Sequence, residues 1–347
     1  MVRTAFKAAL LCAVPLLLAG GPANAETKLL FNNFVPETHP ITRLLKAWAG
    51  RVTKVTEGRV VIEFPAATLA PPPRQWDMVT KNIADGGFLF NAFESKRLAL
   101  VQMYHLPFIT PSAEAASVAM NRTQAKFFAK ANEYKGIHLL GNFSFVGNSI
   151  NMAKKPVRDV ADLKDVKIRT APGIGKDIFE TLGAVVVTTP GAKAFEVVSK
   201  GVVDGMAYSF ADAVGFKMVP YVKYVTTVPG AIYNSSFSML MNEKKWGSLG
   251  AKDQAAITSV SGEMIGRDGR FWDADNEKAR VTMAKDGVEI EAASPKFVKE
   301  LHDRLAVITD EWVKSVKDRP VDAKAALAYY TAEVQKIQAE IDARKPK

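Results

Sequence analysis

The stretch that decides the fold is VADLKDVKIRTAPG, residues 160–173. Within it, the apolar and basic run VKIRT is followed at once by a turn of small residues that contains Pro172 and Gly173. The run predicts a β-strand, and the residues from Ile174 onward predict a helix. Arg169 then lies at the carboxyl end of the strand, which is the edge where open α/β sheets bind their ligands.

Two interpretations of Arg169 follow from this position. A guanidinium is a planar fork that matches a carboxylate with two hydrogen bonds, and the N–H groups at the start of the next helix also favour anions. The alternative is a structural salt bridge to an Asp or Glu side chain. The local pattern leaves both open and leans slightly toward the salt bridge.

The alternation of strand and helix patterns extends outward from this stretch. Upstream, apolar residues at three- and four-residue steps predict a helix over residues 39–57. Downstream, short apolar runs alternate with helical patterns as far as residue 242, and helical patterns dominate from there to the end. This order predicts an α/β fold with largely parallel strands. No low-complexity linker is present, so two domains would have to be joined by several crossing segments.

The first residues have the layout of a secretory signal peptide. Arg3 and Lys7 form a short basic start, an apolar run covers residues 8–19, and a small-residue pattern ends at Ala25. The run is shorter than the roughly 20 apolar residues of a membrane-spanning helix. We therefore expect export to the periplasm and cleavage after Ala25. The one cysteine, Cys12, lies in this segment, so the mature chain has no disulfide.

Charge and motifs exclude several function classes. The formal net charge is +10, but basic and acidic residues are interleaved without a basic block, so the sequence does not predict a nucleic-acid binder. The four histidines show no metal-ligand spacing, and no nucleophile elbow, Walker loop or dinucleotide fingerprint occurs. We expect no enzyme activity, no metal and no cofactor.

A resemblance to a known family sharpens this reading. VADLKDVKIRTAPG resembles the "aDLkGlKiRvP" signature of the TRAP-type (tripartite ATP-independent periplasmic) solute-binding proteins, in the dicarboxylate-binding-protein superfamily. In the same order, residues 39–69 are similar to the family's first helix–strand unit, and residues 182–209 and 221–249 are similar to its later phrases. The likeness therefore covers nearly all of the mature chain.

The resemblance implies a two-domain clamshell of the periplasmic-binding-protein fold (class II-like, TRAP type), with segments crossing between the domains and a helical C-terminal region. We expect residues 1–25 to be the signal peptide, residues 26–146 with 235–275 to form domain I, and residues 147–234 with 276–347 to form domain II. The implied function is that of a monomeric periplasmic receptor, which closes over a small carboxylate and delivers it to the small and large membrane subunits of a TRAP permease. A secreted hydrolase that uses the same cleft and a ligand-binding subunit of a membrane sensor remain alternatives.

The family's arginine corresponds to Arg169, so the resemblance implies that Arg169 binds the ligand carboxylate. Two helper positions depart from the family: Ala207-Tyr208-Ser209 replaces the usual Glu-Asn-Pro, and Ser149 stands where many members have a second arginine. We therefore expect a monocarboxylate with an apolar or aromatic body. The Glu-Trp pair of the metal-bridging subfamily is also missing. The predicted ligand-binding residues are Arg169, Tyr208, Phe145, Asn148, Ser149, Arg74, Gln75, Trp76, Phe90, Phe210, Tyr233, Phe237 and His39.

Overall fold

Two β-sheets organise the chain in a computed structural model, which describes residues 26–344. The predicted signal peptide, residues 1–25, lies outside the described residues. The strands are β1 (Thr27–Asn32), β2 (Val60–Glu63), β3 (Gly86–Phe90), β4 (Ile137–Ser144), β5 (Ser149–Met152), β6 (Lys167–Thr170), β7 (Val185–Thr188), β8 (Gly205–Tyr208), β9 (Tyr224–Thr227), β10 (Ser236–Asn242) and β11 (Glu289–Ala292).

Helices separate most of these strands and form most of the chain after β10. They are α1 (Pro40–Val55), α2 (Gln75–Thr80), α3 (Ala113–Thr123), α4 (Ile174–Thr181), α5 (Ala194–Ser199), α6 (Phe210–Gly215), α7 (Glu243–Gly247), α8 (Ala251–Ser259), α9 (Glu263–Arg267), α10 (Gly269–Lys285), α11 (Pro295–Ser315) and α12 (Ala323–Arg344). Each long helix has the stripe that its sequence predicts: in α1, for example, Leu44, Leu45, Trp48 and Val52 are buried. The predicted α/β fold class is confirmed.

The two sheets are mixed, which corrects the prediction of largely parallel strands. The first sheet has the order β2-β1-β3-β10-β4, and the second has the order β11-β9-β5-β8-β6-β7. In the first sheet β10 runs antiparallel to both of its neighbours, and in the second sheet β5 does the same. Both strands come directly after a crossing between the sheets, β5 after β4 and β10 after β9.

Two crossing segments pair with each other between the sheets. Residues 145–148 lead from β4 to β5, and residues 228–235 lead from β9 to β10; we call them together the crossing ribbon. The Asn148 N–H donates to the Tyr233 carbonyl at 2.9 Å, and the Ile232 N–H donates to the Asn148 carbonyl at 3.2 Å. The predicted crossing segments are therefore present, and they form a hydrogen-bonded ribbon rather than two loose loops.

The C-terminal helices tie the two parts of the chain together. The helix α12, which the sequence analysis assigned to domain II, packs against α3, where the Arg122 Nη1 donates to the Glu333 Oε2 at 2.7 Å. Beside it, the rings of Tyr104 and Tyr330 lie 5.2 Å apart in the core. The strands divide between the sheets at the predicted crossings, while the exact domain boundaries stay a prediction.

Local differences from the sequence analysis have local reasons. The sequence pattern predicts one helix over residues 113–132, but α3 ends at Thr123 and the chain continues as a π-helical turn, Gln124–Phe128. The strands β5 and β11 were not predicted, since each has only four residues and neither is a long apolar run. No helix within residues 26–344 is long and apolar enough to span a membrane.

Candidate ligand-binding site

A cavity lies where the carboxyl ends of parallel strands from the two sheets approach each other. From the second sheet, Arg169 at the end of β6, Thr189 just after β7 and Tyr208 at the end of β8 line it. These three strands are adjacent in the order β8-β6-β7, so their carboxyl ends form one continuous edge. The first sheet supplies Phe90 from the end of β3. The cavity volume open to water-sized spheres is about 90 Å³.

Arg169 is held by neutral groups on the second sheet. Its side chain is buried at 3% exposure. The Nε–H donates to Thr189 Oγ1 at 3.2 Å, and Nη2 donates to the Thr189 carbonyl. These bonds use two of the five N–H donors of a guanidinium. Within residues 26–344 no Asp or Glu forms an ion pair with Arg169, so the salt-bridge interpretation does not describe this structure.

The ring of Tyr208 supports the same guanidinium. The guanidinium carbon of Arg169 lies 4.4 Å from the Tyr208 ring centroid, which is a cation–π distance. The Tyr208 hydroxyl donates to the Gly191 carbonyl at 3.3 Å. Burial raises the pKa of Tyr208, so the hydroxyl keeps its proton. The Thr189 hydrogen bonds and the Tyr208 ring therefore hold the guanidinium in one orientation at the wall of the cavity.

Aromatic rings form the apolar walls of the cavity. The rings of Phe145 and Phe237 lie 4.3 Å apart between centroids, and Phe90 lies 5.3 Å from Phe237. Behind Phe145, the ring of Trp272 stacks at 3.8 Å and nearly parallel. Rings that pack against each other in this way are rigid, and their faces suit a flat apolar ligand. Of the residues within 26–344 that line the cavity, Arg169 is the only Lys or Arg.

A second polar group lines the cavity near these walls. His39 precedes α1, and the Ile41 N–H donates to its Nδ1 at 3.3 Å, so the ring caps the helix. Burial lowers the pKa of His39 to about 4, which keeps the imidazole neutral at physiological pH. Asp212 lies on α6, and its Oδ2 accepts from Ser209 Oγ at 2.8 Å. Burial raises the pKa of Asp212 to about 6, while Ser209 and Arg169 act in the opposite direction.

Eight of the thirteen predicted residues line this one cavity. They come from both sheets and from the crossing ribbon, and they are Arg169, Tyr208, Phe145, Asn148, Phe90, Tyr233, Phe237 and His39. Tyr233 also fixes the end of β6, because the Thr170 Oγ1 donates to its hydroxyl oxygen at 3.0 Å. Their roles in binding a ligand stay predictions.

The other five predicted residues lie outside the cavity lining, and each has a structural partner. Ser149 pairs with Tyr208 across β5 and β8, and Phe210 packs into a separate core cluster. Gln75 accepts from Asn32 Nδ2 at 2.9 Å and donates to the Ala70 carbonyl.

The remaining two follow closely on the prolines at 71–73, a segment that we call the proline-rich rim. Trp76 is buried against Tyr134, with the Arg97 guanidinium 4.3 Å from its ring centroid. Arg74 is exposed and pairs with Asp77 at 2.9 Å. Of this rim only Pro72 reaches the cavity. Arg74 therefore lies in a solvated turn with Asp77 as its partner, and not in the cavity lining.

Several lining residues were missed by the sequence analysis, above all Thr189, Asp212 and Phe216. Thr189 follows β7, the strand next to β6, so the rule that placed Arg169 at a carboxyl end also applies to Thr189. Asp212 stands three residues after Ser209, which caps α6. That spacing marks a helix start, but it gives no sign that the carboxylate is buried in a cavity.

Comparisons with known proteins agree with this geometry. A family model described as "Bacterial extracellular solute-binding protein, family 7" matches residues 31–315. The chain is similar to a protein of Comamonas testosteroni named "Outer membrane transporter protein TsaT", with 35% identity over 328 residues, which cover 94% of this chain and 96% of that protein.

Two solved structures are also similar. A TRAP periplasmic solute-binding protein from Bordetella bronchiseptica, with bound (R)-mandelate and (S)-mandelate, is 27% identical with a TM-score of 0.86, covering 90% of this chain and 99% of that chain. A TRAP solute-binding protein from an unidentified marine microbe, specific for aromatic acid ligands and in complex with 3-hydroxybenzoate, is 27% identical with a TM-score of 0.83 over 90% of this chain and 99% of that chain.

Proposed function

The chain belongs to family 7 of the bacterial extracellular solute-binding proteins and is of the TRAP type, and from that premise we propose that it captures one small aromatic monocarboxylate between its two sheets. Membership confirms the family that the sequence resembles. The main support for this ligand class is the buried Arg169. Its partners are neutral, and it has no acidic ion-pair partner within residues 26–344. Aromatic rings form the walls of the same cavity. A ligand carboxylate would supply the missing anion.

Charge in the cavity favours a single carboxylate. Arg169 offers one cationic fork, and His39 is neutral because burial lowers its pKa to about 4. Asp212 is an acid, so a second ligand carboxylate near it would be repelled whenever Asp212 is ionised. A dicarboxylate would therefore bury one charge without a partner, which is strongly unfavourable.

The size of the cavity favours a small body. Its volume of about 90 Å³ is well below the roughly 300–1,000 Å³ of pockets that bind drug-sized ligands. A single ring with one carboxylate suits this space and the faces of Phe145 and Phe237 better than a sugar acid does. The similar solved proteins hold mandelate and 3-hydroxybenzoate, which are acids of this kind.

Capture follows from where the groups lie. The carboxylate docks on the Arg169 fork, whose direction is already fixed by Thr189 and Tyr208. Each sheet with its helices forms one unit, and closure of these two units over the ring excludes water. The ion pair then becomes stronger, because water no longer screens the two charges. We propose that the monomeric receptor is cleaved after Ala25, acts in the periplasm, catalyses no reaction and delivers its ligand to the small and large membrane subunits of a TRAP permease.

A binding screen tests the proposed ligand class. The protein would be unfolded and refolded to remove any carried ligand, then scanned for thermal stabilisation by benzoate, 3-hydroxybenzoate, mandelate, succinate and N-acetylneuraminate. We expect the aromatic monocarboxylates to raise the Tm, since a ligand at 100 times its Kd stabilises by about 2.7 kcal/mol. Stabilisation by succinate or N-acetylneuraminate alone would refute the assignment.

Two further measurements address the alternatives of a hydrolase and a sensor. Recovery of chemically unchanged ligand after prolonged incubation is expected of a receptor, and a hydrolysed product would favour the secreted enzyme. Uptake of the ligand by cells that carry the receptor together with membrane permease subunits would support transport. Binding without any such uptake would favour the sensor subunit.

A further inference from the structure

A donor and an acceptor in the cavity have no hydrogen-bond partner among residues 26–344. His39 Nε2 and Asp212 Oδ1 lie 3.9 Å apart, which is too far for a direct hydrogen bond. Within residues 26–344 neither atom has a hydrogen-bond partner, and both are closed off from solvent. Both residues line the cavity, and both are more than nine-tenths buried. Buried polar atoms are nearly always paired, so these two need a partner that the described part of the chain does not supply.

The two atoms have opposite hydrogen-bonding roles. The Ile41 N–H donates to His39 Nδ1, so the neutral imidazole carries its proton on Nε2 and offers a donor there. Asp212 Oδ2 accepts from Ser209 Oγ, and Oδ1 is left as an acceptor. The pair therefore presents one donor and one acceptor to the same small volume.

We propose that His39 and Asp212 form a subsite for a hydroxyl group on the body of the ligand; this rests on the proposed capture of an aromatic monocarboxylate by Arg169. A hydroxyl oxygen about 2.8 Å from each atom accepts from Nε2–H and donates to Oδ1. A second carboxylate only accepts and would face Asp212. An ammonium group only donates and would leave the histidine unpaired.

The subsite joins two separate parts of the fold. His39 caps α1, which packs on β2 of the first sheet, whereas Asp212 lies on α6, which follows β8 of the second sheet. Water can reach both atoms when the two units are apart, but closure without a hydroxyl leaves a buried donor and a buried acceptor unpaired. An acid that brings a hydroxyl removes this penalty, so the receptor selects hydroxylated rings over plain ones.

Isothermal titration calorimetry on the refolded protein tests the subsite with benzoate, 3-hydroxybenzoate and 4-hydroxybenzoate. We expect at least one hydroxybenzoate to bind the wild type about tenfold or more tightly than benzoate does. In Asp212→Asn that ratio is expected to fall to within about threefold, because an amide of equal size no longer offers the same acceptor. His39→Asn is a second variant, in which a short amide oxygen still caps α1 while the Nε2 donor is lost.

The measured quantity is the ratio of the benzoate Kd to the hydroxybenzoate Kd in each protein. A variant that weakens binding of all the acids equally leaves this ratio unchanged. Arg158→Gln is the control, because Arg158 is exposed and pairs with Glu291 outside the cavity. Equal binding of all three acids by the wild type, or a ratio that survives in both variants, overturns the subsite and leaves carboxylate capture intact. If none of the three acids binds, the aromatic ligand class fails and the subsite fails with it.

Discussion

Replacing Arg169 by glutamine separates ligand binding from folding. The variant removes the guanidinium but keeps a shorter, neutral polar side chain at the carboxyl end of β6. We expect the ligand-free protein to fold and the affinity for a carboxylate ligand to collapse. The reason is that the neutral partners of Arg169 hold its fork in place without neutralising its charge.

The magnitude follows from the hydrogen bonds that the fork would make. A hydrogen bond to a charged group contributes about 1.5–3 kcal/mol net, and a bidentate carboxylate makes two of them. The lower limit is therefore about 3 kcal/mol, which corresponds to a Kd about a hundredfold higher. Arg169→Lys keeps the charge but loses the planar fork, so we expect an intermediate loss of about tenfold.

The effect on stability is expected to be small because two contributions oppose each other. The variant loses the contact with the Tyr208 ring at 4.4 Å, which is a cation–π interaction of about 1–2 kcal/mol. It also removes a buried cation that lacks an acidic ion-pair partner within residues 26–344, and burying such a charge is costly. The ligand-free Tm is therefore expected to stay within about 4 °C of the wild-type value.

Calorimetry on refolded protein gives the Kd, and a thermal scan with and without ligand gives both Tm values. Arg158→Gln is the matched control, since this arginine has 66% side-chain exposure and pairs with Glu291 at the surface, where such pairs contribute little. If Arg169→Gln binds the ligand within about threefold of the wild type, the carboxylate role of Arg169 is wrong.

Three further predictions concern neighbours of the same site. Tyr208→Leu removes the ring beneath the Arg169 guanidinium and is expected to raise the Kd for the ligand about 3- to 30-fold. Tyr208→Phe keeps the ring, so its Kd, measured by calorimetry, is expected to stay within about threefold of the wild-type value. Benzoate is expected to bind more tightly as the pH falls toward about 6 and to level off below that, because burial raises the pKa of Asp212 to about 6, a bound anion raises it further, and protonation removes a negative charge near the ligand; Asp212→Asn removes this dependence. Gly147→Ala is expected to lower the Tm, since its Cβ would overlap the Cβ of Ala231, and adding Ala231→Gly is expected to restore it.

The sign of the pH prediction can be checked directly. Binding an anion near Asp212 raises the pKa of that carboxyl further, so the complex takes up protons and affinity rises as pH falls. His39 stays neutral over this range, because its pKa is lowered to about 4, and Arg169 keeps its charge. A benzoate affinity that is flat between about pH 7.5 and pH 5.5 would contradict the placement of Asp212 beside the ligand.

The other two predictions have their own contrary outcomes. Equal losses in Tyr208→Phe and Tyr208→Leu would mean that the hydroxyl, and not the ring, supports the guanidinium. An unchanged Tm for Gly147→Ala would mean that the crossing ribbon yields without cost, and failure of Ala231→Gly to restore the Tm would mean that the strain lies elsewhere.

Much of the fold could be predicted because each element carries its own pattern. The stretch around Arg169 has a strand, a turn and a helix start within fourteen residues, and the structure places β6 and α4 there. The strand β5 escaped because it is only four residues long: SINM does alternate polar and apolar residues, but over too short a run to stand out, and all four residues are buried. The direction of β5 depends on the crossing before it, which no local pattern records.

The strand-end rule placed Arg169 at the ligand-binding edge of the sheet, but the local pattern leaned toward a salt bridge, and it was the family resemblance that favoured a carboxylate site. Predicted lining residues outside the strands, such as Asn148 and Tyr233, rested on the resemblance. His39 and Asp212 approach each other from helices that are distant in the chain, so their juxtaposition depends on how the two units pack. In the sequence, aromatic residues such as Trp76 and Phe210 cannot be told apart from the aromatic residues that line the cavity, but in the structure they pack in the core.

The crossing ribbon connects the two sheets and also forms part of the wall of the cavity. Asn148 and Tyr233, which pair within the ribbon, also line the cavity. Under the closure that we propose, a ligand in the cavity lies next to the axis of the motion, and the outer rims lie far from it. A difference of one substituent on the ligand would then become a larger difference in the gap between the rims. A membrane partner that contacts only the rims would thereby respond to the size of a molecule that it never contacts.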